Sequence, residues 1–194
     1  MSTSSCITNV LSRTTAGSRD AELSVNAGEI KVCRREGVLR ASALGSCVAV
    51  AAYDPNSRVG SIAHVMLPGA SDGRNPSKKM RYAEDAIQEM MRRMTALGVD
   101  ESRMRVCLVG GANVLGDGHD SPGLDIVWSL TEILNRKGIT PAAVDVGGEQ
   151  RRSCTLDVAF GRVTYTIGDS APRMLWEAGN VRLDPADGFA GKSM

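Results

Sequence analysis

The chain is poor in histidine and has no metal-ligand spacing. His64 and His119 are its two histidines, and its cysteines at 6, 33, 47, 107 and 154 form no Cys-x-x-Cys pair. Sites of the zinc type that sequence announces are therefore excluded, and neither metal nor cofactor is expected. Charge of one sign is also missing: 23 Lys and Arg stand against 22 Asp and Glu, for a net +1. That balance gives no electrostatic footprint for nucleic acid. There is no apolar run of membrane-spanning length and no cleavable signal, so membrane insertion and export are not expected. Gly110-Gly111 lacks the spacing of a dinucleotide or phosphate loop. An odd cysteine count cannot all pair within one chain, and five unpaired cysteines point to a reducing, cytoplasmic compartment.

What is present is a thiol and an imidazole on two neighbouring apolar runs. Residues 46–53 (SCVAVAAY) and 58–67 (RVGSIAHVML) are rich in small and β-branched residues and flank Asp54-Pro55-Asn56-Ser57, a turn sequence. Pairing Tyr53 with Arg58 sets Ala51 opposite Gly60, Ala49 opposite Ile62 and Cys47 opposite His64, all on one face. Directly opposed Cβ atoms lie roughly 4.5 to 5.5 Å apart, within reach of proton transfer from thiol to imidazole. The activated thiol is expected to titrate below the free-cysteine value. Most free cysteines are small buried hydrophobes, and histidines in apolar strands usually have core or surface roles. Leu44-Gly45-Ser46-Cys47 enters the strand through a glycine, which can leave the backbone N–H groups of Gly45 and Ser46 free to face a developing oxyanion.

The 194 residues suffice for one domain with a sizeable core. Residues 1–27 are Ser/Thr-rich without periodicity and read as a flexible arm. Residues 78–97 carry Met80, Ala83, Ala86, Ile87, Met90, Met91, Met94 and Leu97 at helical spacing, closed by Gly98. A second helix over 122–137 is expected to be capped by Ser121 and to bury Leu124, Val127, Leu130, Ile133 and Leu134. Residues 105–109 read as a buried strand ending at Gly110-Gly111, where the backbone passes close to another segment. Strands are expected at 30–33, 37–44, 143–146, 154–158 and 163–167, the last two joined as a hairpin. The loop 69–77 reads as a connector or a substrate-facing segment. Together these predict an α+β fold: a single layered domain of mixed sheet, about seven short strands with two hairpins, packed with two main helices. Residues 168–194 read as a tail with a packing or docking patch at Met174, Leu175 and Trp176.

Residues 44–55 (LGSCVAVAAYDP), 59–68 (VGSIAHVMLP), 109–115 (VGGANVL) and 145–152 (DVGGEQRR) resemble the CheD family of chemoreceptor glutamine deamidases, over roughly residues 28–167. The resemblance implies hydrolysis of particular glutamine side chains on methyl-accepting chemotaxis receptors, with Cys47 as nucleophile and His64 as base. It also implies that some members hydrolyse glutamyl methyl esters, and that a CheC-like phosphatase is a partner where one exists. Two positions depart from the pattern. Members usually carry a threonine six residues before the nucleophile, where this chain has Ala41 followed by Ser42. A one-residue offset in a strand turns a side chain to the other face, so Ser42 can serve as third member only if a bulge intervenes. Arg151 stands where the pattern has a small residue. Two other classes stay open: a non-catalytic module binding receptor helices or a CheC-like phosphatase, and a thiol redox or unrelated cysteine hydrolase activity, redox being the weakest because no resolving cysteine is evident in the sequence unless Cys33 lies close in space.

Overall fold

The computed structural model describes residues 5–7, 22–114 and 121–179, the first three as backbone. His119 and much of both expected terminal segments lie outside the described residues. In chain order the strands are β1 Ser5–Ile7, β2 Glu22–Ser24, β3 Ile30–Arg34, β4 Val38–Leu44, β5 Val48–Asp54, β6 Val59–Val65, β7 Arg105–Gly110, β8 Ala143–Val146, β9 Arg152–Asp157, β10 Arg162–Ile167 and β11 Arg173–Glu177. Two α-helices, α1 Ala83–Thr95 and α2 Pro122–Arg136, join them. One sheet has the order β1-β3-β6-β5-β7-β8 and the other β11-β10-β9-β4-β2. Each is antiparallel except at one edge, where β7–β8 and β2–β4 run parallel.

The expected α+β architecture is present, with more strands than expected and divided between two sheets. Strands β5 and β6 are buried along their whole length, which is why both read as nearly continuous apolar runs. One face of the six-stranded sheet (Val48, Val50, Ala63, Val65) packs on Ile87, Met90 and Met94 of α1 and Ile126, Leu130 and Leu134 of α2. Its other face (Ala49, Ala51, Ile62, Val109) packs on Leu39, Ala41, Cys154 and Leu156 of the five-stranded sheet. The layers are thus helices, central sheet and outer sheet, with two apolar interiors.

Several expectations shift. The boundary at residue 27 cuts through the fold, since β2 pairs with β4 and Val25 is buried in the inter-sheet core. At the other end β11 pairs with β10, and Leu175 and Trp176 pack on that core, with Trp176 tilted against Tyr53 at 6.2 Å. Helix α2 presents Ile126, Leu130, Ile133 and Leu134 inward, whereas Leu124 is 51% exposed. The rotation follows from Gly123, which lies against Gly111 so closely that a Cβ would sit 2.5 Å from the Gly111 carbonyl. Ser121 does not cap the helix with its side chain. The loop 69–77 is tied to the helices, with Gly69 N–H donating to Ser129 Oγ (2.9 Å) and Ser71 N–H to Asp85 Oδ2 (2.7 Å). Cys33 is disulfide-bonded, contrary to the expectation of five unpaired cysteines, and its backbone partner across the β1–β3 pair is Cys6. Among the described residues no helix is long and apolar enough to cross a membrane.

Candidate active site

The β5–β6 hairpin is two residues out of the expected register. Asp54 pairs with Val59, Tyr53 with Gly60, Ala51 with Ile62, and Ala49 with His64. The loop is therefore 55–58 and closes on Arg58, whose φ of +52° lies in the left-handed region. The Asp54 carboxylate organises it, accepting from Asn56 N–H (3.1 Å), Ser57 N–H (3.4 Å) and Ser57 Oγ–H (2.7 Å). Cys47 thus sits not opposite His64 but one diagonal step beyond it. An even shift keeps strand parity, so both side chains still belong to the face turned toward the outer sheet.

That face ends in a cavity of about 320 Å³ lined by Cys47, His64, Ser42, Arg40, Val25 and Asn26, among others. His64 is 5% exposed. Its Nδ1 lies 3.1 Å from the Val25 carbonyl, an acceptor, so Nδ1 carries the proton. Nε2 is buried and has no partner among the described residues. This tautomer leaves a basic lone pair on Nε2 in the site that also holds a thiol. Burial pushes the imidazole below its ordinary value, with the Val25 carbonyl and the Glu29 charge opposing. Burial likewise pushes the Cys47 thiol up, with only its own backbone N–H opposing. The expected depression of the thiol is not found: among the described residues no cation sits against the sulfur to hold a thiolate, and burial favours the neutral form of both groups.

The turn that carries Cys47 is stitched to the end of β7. Gly111 N–H donates to the Cys47 carbonyl (2.9 Å) and Ala112 N–H to the Gly45 carbonyl (2.8 Å). At Gly110 φ is +123° and a Cβ would lie 2.3 Å from the Cys47 carbonyl oxygen, so only glycine lets the strand end here. This is the close approach expected of Gly110-Gly111. Beside it, the segment 147–148 joins through Gly147 N–H to the Gly110 carbonyl (2.9 Å) and Asn113 N–H to the Gly148 carbonyl (2.7 Å). Arg152, itself buried, clamps that segment by pairing with Asp145 and donating to the Gly147 carbonyl (2.5 Å). Gly45 is not a free oxyanion donor, because its N–H donates to the Ala43 carbonyl at 3.0 Å.

Strand β4 contains the bulge that the Ser42 reading requires. Its register against β9 runs from Ala41 opposite Cys154 to Leu44 opposite Arg152, so one extra residue is accommodated on β4. Ala43 takes up the bend with φ of +56°. Ala41 is fully buried between the sheets, whereas Ser42 lines the cavity and accepts from Arg40 Nε at 3.1 Å. Arg151, the second departure, pairs at the surface with Asp169 at 2.7 Å. Sequence reasoning missed Val25, Asn26 and Arg40. The alternation of Leu23 and Val25 before Asn26-Ala27-Gly28 was the available signal for a short strand and turn. A second cavity of about 390 Å³ lies between Pro68-Gly69 and Trp128 of α2, and among the described residues lining it there is no thiol or histidine.

Comparison with known proteins agrees on one family. Residues 66–166 match the model of CheD chemotactic sensory transduction. A relative in Chlorobium luteolum, "Probable chemoreceptor glutamine deamidase CheD", is 37% identical over 150 residues, 77% of this chain and 75% of its own length. One of the same name in Archaeoglobus fulgidus is 34% identical, covering 76% of this chain and 96% of its own length. In Methanosarcina mazei "Probable chemoreceptor glutamine deamidase CheD 1" is 39% identical, covering 81% and 73%.

Proposed function

The chain belongs to the CheD family, and from that membership we propose that it converts particular glutamines of methyl-accepting chemotaxis receptors to glutamates, with Cys47 as nucleophile and His64 as base. The observation that carries this reading is an unpartnered His64 Nε2 and the Cys47 thiol in one cavity.

Nε2 takes the thiol proton as sulfur attacks the carboxamide carbon, and the oxygen becomes an oxyanion. With Gly45 engaged, the N–H groups of Ser46 and Cys47 are its donors. The imidazolium then protonates the departing nitrogen, the C–N bond breaks, and ammonia leaves a thioester. His64, neutral again, removes a proton from water as it adds to the thioester carbon. The C–S bond breaks, the thiol recovers its proton, and glutamate remains. The Val25 carbonyl keeps the proton of the resting ring on Nδ1 and stabilises the imidazolium that forms in both steps. Ser42 supplies the third polar group, its O–H free to donate because its oxygen accepts from Arg40.

The substrate would be the helical cytoplasmic region of a receptor, with one glutamine side chain entering the cavity, so the protein would act in the cytoplasm. A CheC-like phosphatase is a further partner in cells that have one. A dithiol redox reading lacks support: among the described residues lining the cavity Cys47 is the only thiol, and Cys107 and Cys154 are buried elsewhere. The test is incubation with receptor fragments, reading ammonia and the amide-to-acid mass change at individual glutamines. Turnover by the wild type that disappears in Cys47→Ala is expected. Binding of fragments with no turnover would favour the non-catalytic module.

A further inference from the structure

The cavity that holds Cys47 and His64 also holds a cation. Arg40 extends from β4 to the mouth of the site, and among the described residues lining the cavity it alone carries a fixed charge. Its Nε is engaged with Ser42 Oγ at 3.1 Å. Its Nη1 stands 3.7 Å from Glu22 Oε2, in a pair whose side chains are 38% and 47% exposed. Such a long, solvated contact contributes little and is readily exchanged. A guanidinium with one edge fixed and the other weakly occupied is suited to taking a carboxylate from a docking partner, because its planar donors match two carboxylate oxygens at once.

We propose that Arg40 is a specificity-determining residue that recognises an acidic side chain close to the target glutamine, with Glu22 competing for the same guanidinium. This rests on the deamidase reading and adds a substrate rule to it: glutamines with a Glu or Asp adjacent, or within one turn of the receptor helix, are chosen over those in neutral surroundings. Glu22 sets the threshold. A substrate without a carboxylate leaves the Arg40–Glu22 pair in place, and one with a carboxylate displaces it.

The experiment uses two receptor fragments identical except that Glu residues flanking the target glutamine in one are Gln in the other. Turnover is measured with wild type, Arg40→Gln and Glu22→Gln; binding is measured with Cys47→Ala alone and combined with Arg40→Gln. For the acidic fragment, Arg40→Gln is expected to raise KM about fivefold to tenfold, the loss of one charge-assisted contact, while Glu22→Gln lowers it. For the neutral fragment KM is expected to stay unchanged in both variants, with loss of the Ser42 contact lowering kcat of the two fragments alike, and the preference to shrink as salt is raised. An equal rise in KM for both fragments with Arg40→Gln, or no effect of Glu22→Gln, overturns the proposal and leaves Arg40 a support for Ser42. Binding preference that depends on Arg40 without any turnover sustains the Arg40 role and sinks the deamidase reading. Turnover without preference does the reverse.

Discussion

His64 donates its Nδ1 proton to the Val25 carbonyl at 3.1 Å, and this contact decides which face of the imidazole is basic. Val25 is held for the purpose, its own N–H donating to the Arg40 carbonyl at 2.7 Å. The turn after it is closed by Glu29, whose carboxylate accepts from the Asn26 backbone N–H at 2.9 Å. In the proposed mechanism the segment that follows β2 therefore supports the base.

The pH dependence follows from burial. In the proposed mechanism His64 must be neutral to act as base, and its folded value lies below the ordinary imidazole value of about 6.5. As pH falls, the native ring therefore stays basic past the point at which a free histidine would protonate, and the acid limb of kcat/KM is expected below 6.5. The alkaline limb, set by a thiol pushed upward, is expected above the free-cysteine value of about 8.5. At neutral pH the thiolate ultraviolet absorbance lost on Cys47→Ala should be negligible. A strong thiolate signal at pH 7 would mean that a stored ion pair, not a neutral pair, is the resting state.

Accessibility separates the thiols. Cys107 is buried and its thiol is pushed up to about 12, and Cys154 is raised further in a fully enclosed position. Iodoacetamide is expected to modify Cys47 first among the three free thiols of the described residues, with His64→Gln slowing that reaction. Mass spectrometry of partially labelled protein reads the order, and labelling of Cys107 or Cys154 ahead of Cys47 would remove Cys47 as nucleophile.

The third polar position can be tested by two substitutions with opposite failures. Ser42→Ala is expected to lower kcat by more than tenfold, ~1.4 kcal/mol, with little change in melting temperature because the side chain is exposed. A smaller loss removes Ser42 from the mechanism. Ala41→Thr should not repair the site. Ala41 is fully buried opposite Cys154, so the added atoms overpack the inter-sheet core and destabilise by about 1–3 kcal/mol.

These sites also show what could be read from residues alone. That Cys47 and His64 share a face was legible, because strand parity survives any even error in register. The register itself was not: the loop closes on Arg58 with a positive φ, a conformation that glycine or asparagine would have announced and arginine does not. The bulge at residues 42–43 was hidden for the same reason, since alanine gives no hint of a left-handed bend. The periodicity over 78–97 reported the core face of α1 well, as apolar side chains there meet the central sheet. In α2 it failed at Leu124, because the Gly111–Gly123 contact sets the helix rotation.

The turn that bears the proposed nucleophile, Cys47, rests on Gly110. At Gly110 two conditions coincide, a φ of +123° that side chains rarely adopt and a backbone oxygen, that of Cys47, 2.3 Å from where a Cβ would stand. Relief requires the Cys47 carbonyl to move, and that carbonyl is fixed by Gly111 N–H at 2.9 Å. Gly110→Ala is therefore expected to destabilise the fold by about 2–4 kcal/mol and to reduce kcat in whatever fraction folds, since the displaced carbonyl belongs to the residue that bears the thiol. Gly98→Ala provides the comparison: its φ is +87° but nothing lies within 4 Å of the added carbon. It carries the conformational strain alone, about 1–2 kcal/mol, and should leave kcat unchanged. Denaturant unfolding and single-turnover rates on both variants measure the difference, and equal kinetics in the two would show that the end of β7 does not position Cys47.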